Sequence, residues 1–164
     1  MAQTLRRWRL PSVEDTMAMA ARFALAWRPA PAALQLTRAT RVALSGELGA
    51  GKTSWVRGFV AARGVMTPVV SPSFALLQTY DAGELRILHA DFYRLNDPAE
   101  IDALALDDAD RPGVLWLIEW PERALNRIGQ WDLRLNFEIE PDAHAVTAEA
   151  MSQGGVHWLS QVLD

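Results

Sequence analysis

Apolar positions along the chain fall into short runs whose spacing alternates between a strand period and a helix period. Residues 4–10 predict a short edge strand. Pro11 and Ser12 then open a helix, with Ser12 as N-cap and Asp15 three residues later in a capping-box arrangement. Ala18, Ala21, Phe23, Leu25 and Ala26 carry that helix to about Trp27, where Pro29 and Pro31 end it. Residues 30–39 are poorly patterned and predict a connection. Residues 41–45 (RVALS) form an apolar run bounded by Gly46, the signature of a buried strand. A glycine-rich loop follows, then a helix over 52–62 that stops at Gly64. Residues 69–70 and 74–80 have strand character. Residues 81–84 (DAGE) form a turn and 85–89 the next strand, which together predict an antiparallel hairpin.

Farther on, 98–106 predicts a short acidic helix. Residues 114–118 (VLWLI) form the most apolar strand of the chain and belong near the centre of a sheet. Pro121 opens a helix toward Ile128. Leu133, Leu135, Phe137 and Ile139 alternate with polar residues, the mark of a strand with one wet face. Pro141 and Asp142 turn the chain, 146–150 pairs back, and 156–163 ends it as a helix. A length of 164 residues without repeats or a linker fits a single domain over 1–164.

Composition narrows the function. Half the residues are hydrophobic and 22% are charged, which fits a globular chain rather than a disordered one. The formal charge of -4 argues against a dominant nucleic-acid surface, which needs a basic face. The absence of cysteine removes disulfides and thiolate metal sites. No apolar stretch approaches the ~20 residues of a membrane span, and no apolar signal segment follows Arg6, Arg7 and Arg9, so a cytoplasmic location is expected.

One basic residue stands apart. Lys52 is the only lysine; every other cation of fixed charge is an arginine. An ammonium is a compact point charge and a guanidinium a broad fork, so a site that keeps Lys where the chain elsewhere uses Arg calls for a small cation. Lys52 lies in Gly46, Glu47, Leu48, Gly49, Ala50, Gly51, Lys52, Thr53, which satisfies G-x-x-x-x-G-K-[ST] in full. Glycines let the backbone curl into an anion nest, and the helix that follows adds the positive end of its dipole. Lys52 would reach the outer phosphates of a nucleotide and the Thr53 hydroxyl would ligate Mg²⁺. Strand, loop and helix occur in the required order. The fold expected is α/β and three-layered, P-loop NTPase-like, with a mixed, mostly parallel sheet, antiparallel hairpins and helices on both faces.

Such a site needs a carboxylate for the metal and a group that orients the attacking nucleophile. Asp91 and Glu119 both sit just beyond apolar strands, where the ligand crevice of an open α/β sheet forms. Spacing alone leaves open which serves the metal. Asp107, Asp108 and Asp110 read as a solvated acidic face, and His89 reads as a structural histidine rather than a catalytic one.

Four segments in order, 46–59 (GELGAGKTSWVRGF), 70–74 (VSPSF), 89–95 (HADFYRL) and 117–123 (LIEWPER), closely resemble the TsaE (YjeE) family of bacterial P-loop ATPases, as does the first helix. The resemblance covers most of residues 10–140. It implies binding and hydrolysis of ATP to ADP with Mg²⁺. It also implies a role in threonylcarbamoyl modification of the tRNA adenosine next to the anticodon, alongside a TsaB–TsaD complex. Contact with tRNA would come only through that complex, and no DNA or membrane is implied. Carried onto this chain, Thr53 and Glu119 would serve Mg²⁺ and Asp91 would act as base or water-positioner. Lys52 and Ser54 would lie on the nucleotide with the rest of the loop, Trp120 close to it, and Thr16 near the adenine. Residues 71–74 would be a switch-like loop, with Ser73 where the family usually has Thr. Arg94 would anchor Asp91, meet a partner or bind phosphate. Two other readings share the loop: a small-molecule kinase, for which Arg123 and Arg127 are the only lid candidates, and a module that binds ATP without hydrolysing it.

Overall fold

The computed structural model describes residues 4–29, 37–124 and 126–162, so the connection expected over 30–39 lies largely outside the described residues. The described strands form one seven-stranded sheet. In chain order they are β1 (Leu5–Leu10), β2 (Thr40–Gly46), β3 (Leu77–Ala82), β4 (Leu85–Asp91), β5 (Val114–Glu119), β6 (Leu133–Glu140) and β7 (Ala143–Ala150). The spatial order is β1-β7-β6-β2-β5-β4-β3. The four inner strands β6, β2, β5 and β4 run parallel to one another. Antiparallel partners close both edges: β7 and β1 on one side, β3 on the other. The mixed, mostly parallel sheet with antiparallel hairpins expected from the sequence is therefore present.

Alternation along β5 explains how both faces are buried. Leu115 and Leu117 point to one core, while Val114, Trp116 and Ile118 point to another. The first core is roofed by three α-helices, α1 (Val13–Ala26), α2 (Lys52–Ala62) and α3 (Gln153–Gln161). Ser12 caps α1 reciprocally with Asp15, as the sequence predicts, a contribution of about 1 kcal/mol. Phe23 of α1 is the hub of that core. It meets Trp8, Trp55 and Trp158 edge-on at 5.7, 5.6 and 6.0 Å, and its carbonyl accepts from Trp158 Nε1. Each such aromatic pair adds about 0.5–1.5 kcal/mol beyond burial.

The second face is covered by helices of another kind. Pro98–Leu104, Leu106–Ala109 and Pro121–Ala124 are 3₁₀ turns rather than α-helices. The acidic helix is thus a 3₁₀ segment, capped by Asp97 and Glu100. Of the helix expected from Pro121 toward Ile128, Pro121–Ala124 is a 3₁₀ turn and residues 126–128 are not helical. Short 3₁₀ turns let the chain drop apolar residues such as Ile101, Leu106 and Ala124 onto the sheet without a full helical stripe.

Two further expectations are corrected. Val69 and Val70 and residues 74–76 are not strand: Leu76 has a φ of 63° and its amide donates to Pro72 O at 2.6 Å, closing a turn. Phe74 stands 84% exposed at its crest. Asp110 is not part of a solvated face. Its carboxylate accepts from Ala39 N and Arg41 Nη2, pinning the start of β2, whereas Asp107 and Asp108 are exposed. No described helix is long and apolar enough to cross a membrane.

Candidate functional site

The parallel strands β2, β5 and β4 end together on one edge of the sheet, and the loop after β2 turns over those ends. Two glycines permit the turn. Gly46, at φ 144°, passes so close to β6 that an added Cβ would lie 2.5 Å from Phe137 O. Gly51 is the N-cap of α2 at φ 102°, a conformation that disfavours side chains. No side chain caps this helix and no acidic residue occupies its first turn, so its positive end faces an open cavity. That cavity has a volume of about 410 Å³ and is lined by the loop, Ser71, Ser73, Asp91, Tyr93, Arg94, Glu119 and Trp120.

Lys52 is buried at its base. Its Nζ donates to the carbonyls of Gly46 at 2.6 Å and Glu47 at 2.7 Å, and lies 4.4 Å from the centre of the Trp120 ring. Burial pushes the ammonium below its usual range, while the charges of Glu119, Asp91 and Glu122 act in the other direction. Glu47 contributes a carbonyl; its side chain is exposed, as is Leu48. Ala50 is buried and Gly49, Ser54 and Thr53 line the cavity.

The two carboxylates stand side by side. Asp91 ends β4 and Glu119 ends β5, and they are partners in register. Both are almost fully buried. Glu119 accepts from the Thr53 hydroxyl, with Oε1 at 2.9 Å and Oε2 at 3.1 Å, and its Oε1 also meets His89 Nε2 at 2.8 Å. Asp91 instead takes the Ser71 hydroxyl on Oδ2 and the Tyr93 amide on Oδ1 at 2.9 Å. A hydroxyl and a carboxylate at the foot of an anion nest are the hard oxygen donors that Mg²⁺ accepts when phosphates complete its shell. The described residues hold no group of three or more His, Asp or Glu side chains that could hold a metal ion by itself.

The backbone turns sharply after Glu119. Trp120 adopts a φ of 56°, and its amide donates to Leu44 O across the sheet. That left-handed turn sets the indole over Lys52 and 4.9 Å from the Tyr93 ring. Among the residues singled out from sequence, Gly46, Glu47, Ala50 and Thr16 do not line the cavity; Thr16 is the one of these outside the loop. It is buried behind the loop, where a Cβ on Gly51 would meet its methyl at 3.7 Å. Arg94 lines the cavity with its guanidinium 4.2 Å above the Phe74 ring. Arg127 is held by Asp102, and Arg123 lies beside Tyr93 and Trp120, so the two candidate lid arginines do not form a cluster. The sequence reading missed Tyr93, the contact of His89 with Glu119, and His144, whose Nδ1 would lie 3.4 Å from a Cβ on Gly51. A strand residue that pairs diagonally with a candidate ligand is visible only once register is known.

The overall architecture matches that of the crystal structure of YdiB from Bacillus subtilis, with a TM-score of 0.77 over 99% of this chain and 96% of that one at 24% identity, which speaks to fold alone. Two sequence relatives carry the description tRNA threonylcarbamoyladenosine biosynthesis protein TsaE. The Haemophilus influenzae protein is 32% identical over 127 residues, covering 77% of this chain and 80% of its own length. The Rickettsia bellii protein is 40% identical over 114 residues, covering 69% and 72%. The family model described as threonylcarbamoyl adenosine biosynthesis protein TsaE matches residues 10–148, and the chain accordingly belongs to the TsaE family.

Proposed function

We propose that this protein binds ATP with Mg²⁺ in the cavity over the glycine loop, hydrolyses it slowly to ADP, and serves threonylcarbamoyl modification of tRNA together with a TsaB–TsaD complex. The observation that carries the reading is the meeting of Thr53 and Glu119 beneath an uncapped helix N-terminus, with Lys52 alongside. The loop amides and Lys52 hold the phosphates; Thr53 and Glu119 hold the cation. Mg²⁺ bound there would neutralise charge on the outer phosphates. Lys52 is now bonded to its own loop, and phosphate oxygens are better acceptors for an ammonium than those carbonyls.

Asp91 then has the other task. It is anchored by the Ser71 hydroxyl and the Tyr93 amide, away from Thr53, and acts as the group that orients water toward the terminal phosphate. Its tie to Ser71 links hydrolysis to the position of the 71–74 loop, which makes the protein a slow ATPase that a partner can speed. The complex supplies the tRNA contact, in keeping with the acidic charge of this chain. Cytoplasmic action follows from that partnership. The test is single-turnover ATP hydrolysis with and without TsaB–TsaD. The reading expects Mg²⁺-dependent ADP formation that rises at least several-fold with the complex. ADP formation absent in both conditions would leave a binding module, and ADP formed only with a small-molecule acceptor would make it a kinase.

A further inference from the structure

His89 is enclosed by the fold, yet only one of its ring nitrogens is engaged. Its exposure is 0%, and Nδ1 finds no hydrogen-bond partner among the described residues. Nε2 lies 2.8 Å from Glu119 Oε1. A carboxylate oxygen accepts, so this contact places the ring N–H on Nε2.

The position is otherwise suited to an aliphatic side chain. Leu85 and Ile87, on the same face of β4, pack into the helix-side core. A histidine there buries a polar nitrogen that goes unpaired, which an aliphatic residue would avoid. The imidazole instead lies nearly parallel to the Tyr80 ring, with centroids 6.5 Å apart at 28°. Register completes the arrangement. His89 faces Leu117, two residues before Glu119, so the ring reaches the carboxylate diagonally across neighbouring parallel strands.

We infer that His89 is a positioning residue for the metal arm of the site: its Nε2–H fixes Glu119 so that the carboxylate stays turned toward the Thr53 hydroxyl. Oε1 is held from the β4 side by His89 while both carboxylate oxygens remain within reach of Thr53 on α2. Without the imidazole, the Glu119 side chain keeps its strand position but loses the contact that selects its orientation. Supporting hydrogen bonds of this kind typically change metal affinity 10–100-fold. The inference rests on the reading of Glu119 as a magnesium ligand.

The test measures ADP affinity of the full chain by calorimetry across a Mg²⁺ series that includes EDTA, in the wild type, His89→Phe and His89→Gln. Phe keeps a ring and removes the donor; the Gln amide can place an N–H near the lost Nε2. Expected is a rise of about tenfold or more in the Mg²⁺ concentration needed for half-effect in H89F. Affinity in EDTA should be unchanged, and H89Q should return to within about threefold of wild type by retaining the hydrogen bond. If H89F does not fold, His89→Met removes the donor with a flexible chain and is read the same way. An unchanged Mg²⁺ requirement in the donorless variant overturns the inference, as does an equal shift in H89Q. A wild type whose ADP affinity ignores Mg²⁺ overturns the metal reading itself, which keeps the two failures distinct.

Discussion

The ends of β4 and β5 are neighbours in register and are held by different kinds of structure. Both place a buried carboxylate at the mouth of the same cavity. At the end of β5, Glu119 is gripped by rigid elements, Thr53 in the first turn of α2 and His89 within β4. At the end of β4, Asp91 is gripped by irregular chain: Ser71 in the loop before β3 and the Tyr93 amide just beyond its own strand. The difference teaches that two acids with the same burial and adjacent positions can be separated by the stiffness of what holds them. A carboxylate fixed between a helix and a strand suits a metal, whose ligand distances vary little. A carboxylate fixed to a loop suits a step that a partner can gate.

The comparison can be broken experimentally, starting with what both acids share. Lys52→Ala removes the ammonium at the base of the cavity and should weaken ATP binding beyond a Kd of about 1 mM by calorimetry; wild-type affinity would dissolve the site. Asp91→Asn should retain nucleotide binding and lower single-turnover hydrolysis by about 10²–10⁴-fold, the range of a lost general base. Glu119→Gln should do the reverse of that split, raising the Mg²⁺ requirement for nucleotide binding by more than about 100-fold, above the loss expected for a supporting contact. If the two variants exchange phenotypes, the assignments exchange with them. Ser71→Ala should cost hydrolysis about tenfold, one charge-assisted hydrogen bond, with binding intact. The smallest effect concerns folding. Since burial disfavours the Lys52 ammonium, Lys52→Met should leave the ligand-free protein as stable as wild type or more stable by up to about 1 kcal/mol. A thermal melt that drops by many degrees would mean that the ammonium supports the fold.

Much of this site was legible before any coordinates. The glycine loop, the run before it and the capping box of α1 are local patterns, and local patterns survive folding: Gly46 ends β2, Gly51 is the N-cap of α2, and Lys52 and Thr53 open that helix. What escaped depends on contacts between distant residues. The His89–Glu119 contact spans 30 positions and requires the β4–β5 register. His144 lies against the loop at Gly51, 93 positions away in the chain. Val70 and Phe74 misled for another reason. Their apolar character resembles strand, but both are exposed on a loop whose turn is closed by Pro72 and Leu76. On the second face the sequence marks helix starts at Pro98 and Pro121, but 3₁₀ segments bury too few residues per turn to reveal their type or extent.

The division of labour between the two strand ends is tested most directly by a crystal structure of the full chain with Mg²⁺ and a nonhydrolysable ATP analogue. The account predicts the phosphates within the loop amides and Lys52, the metal on Thr53 and Glu119, and a water between Asp91 and the terminal phosphate. A metal bound by Asp91 in place of Glu119, or a nucleotide bound away from the glycine loop, would contradict it.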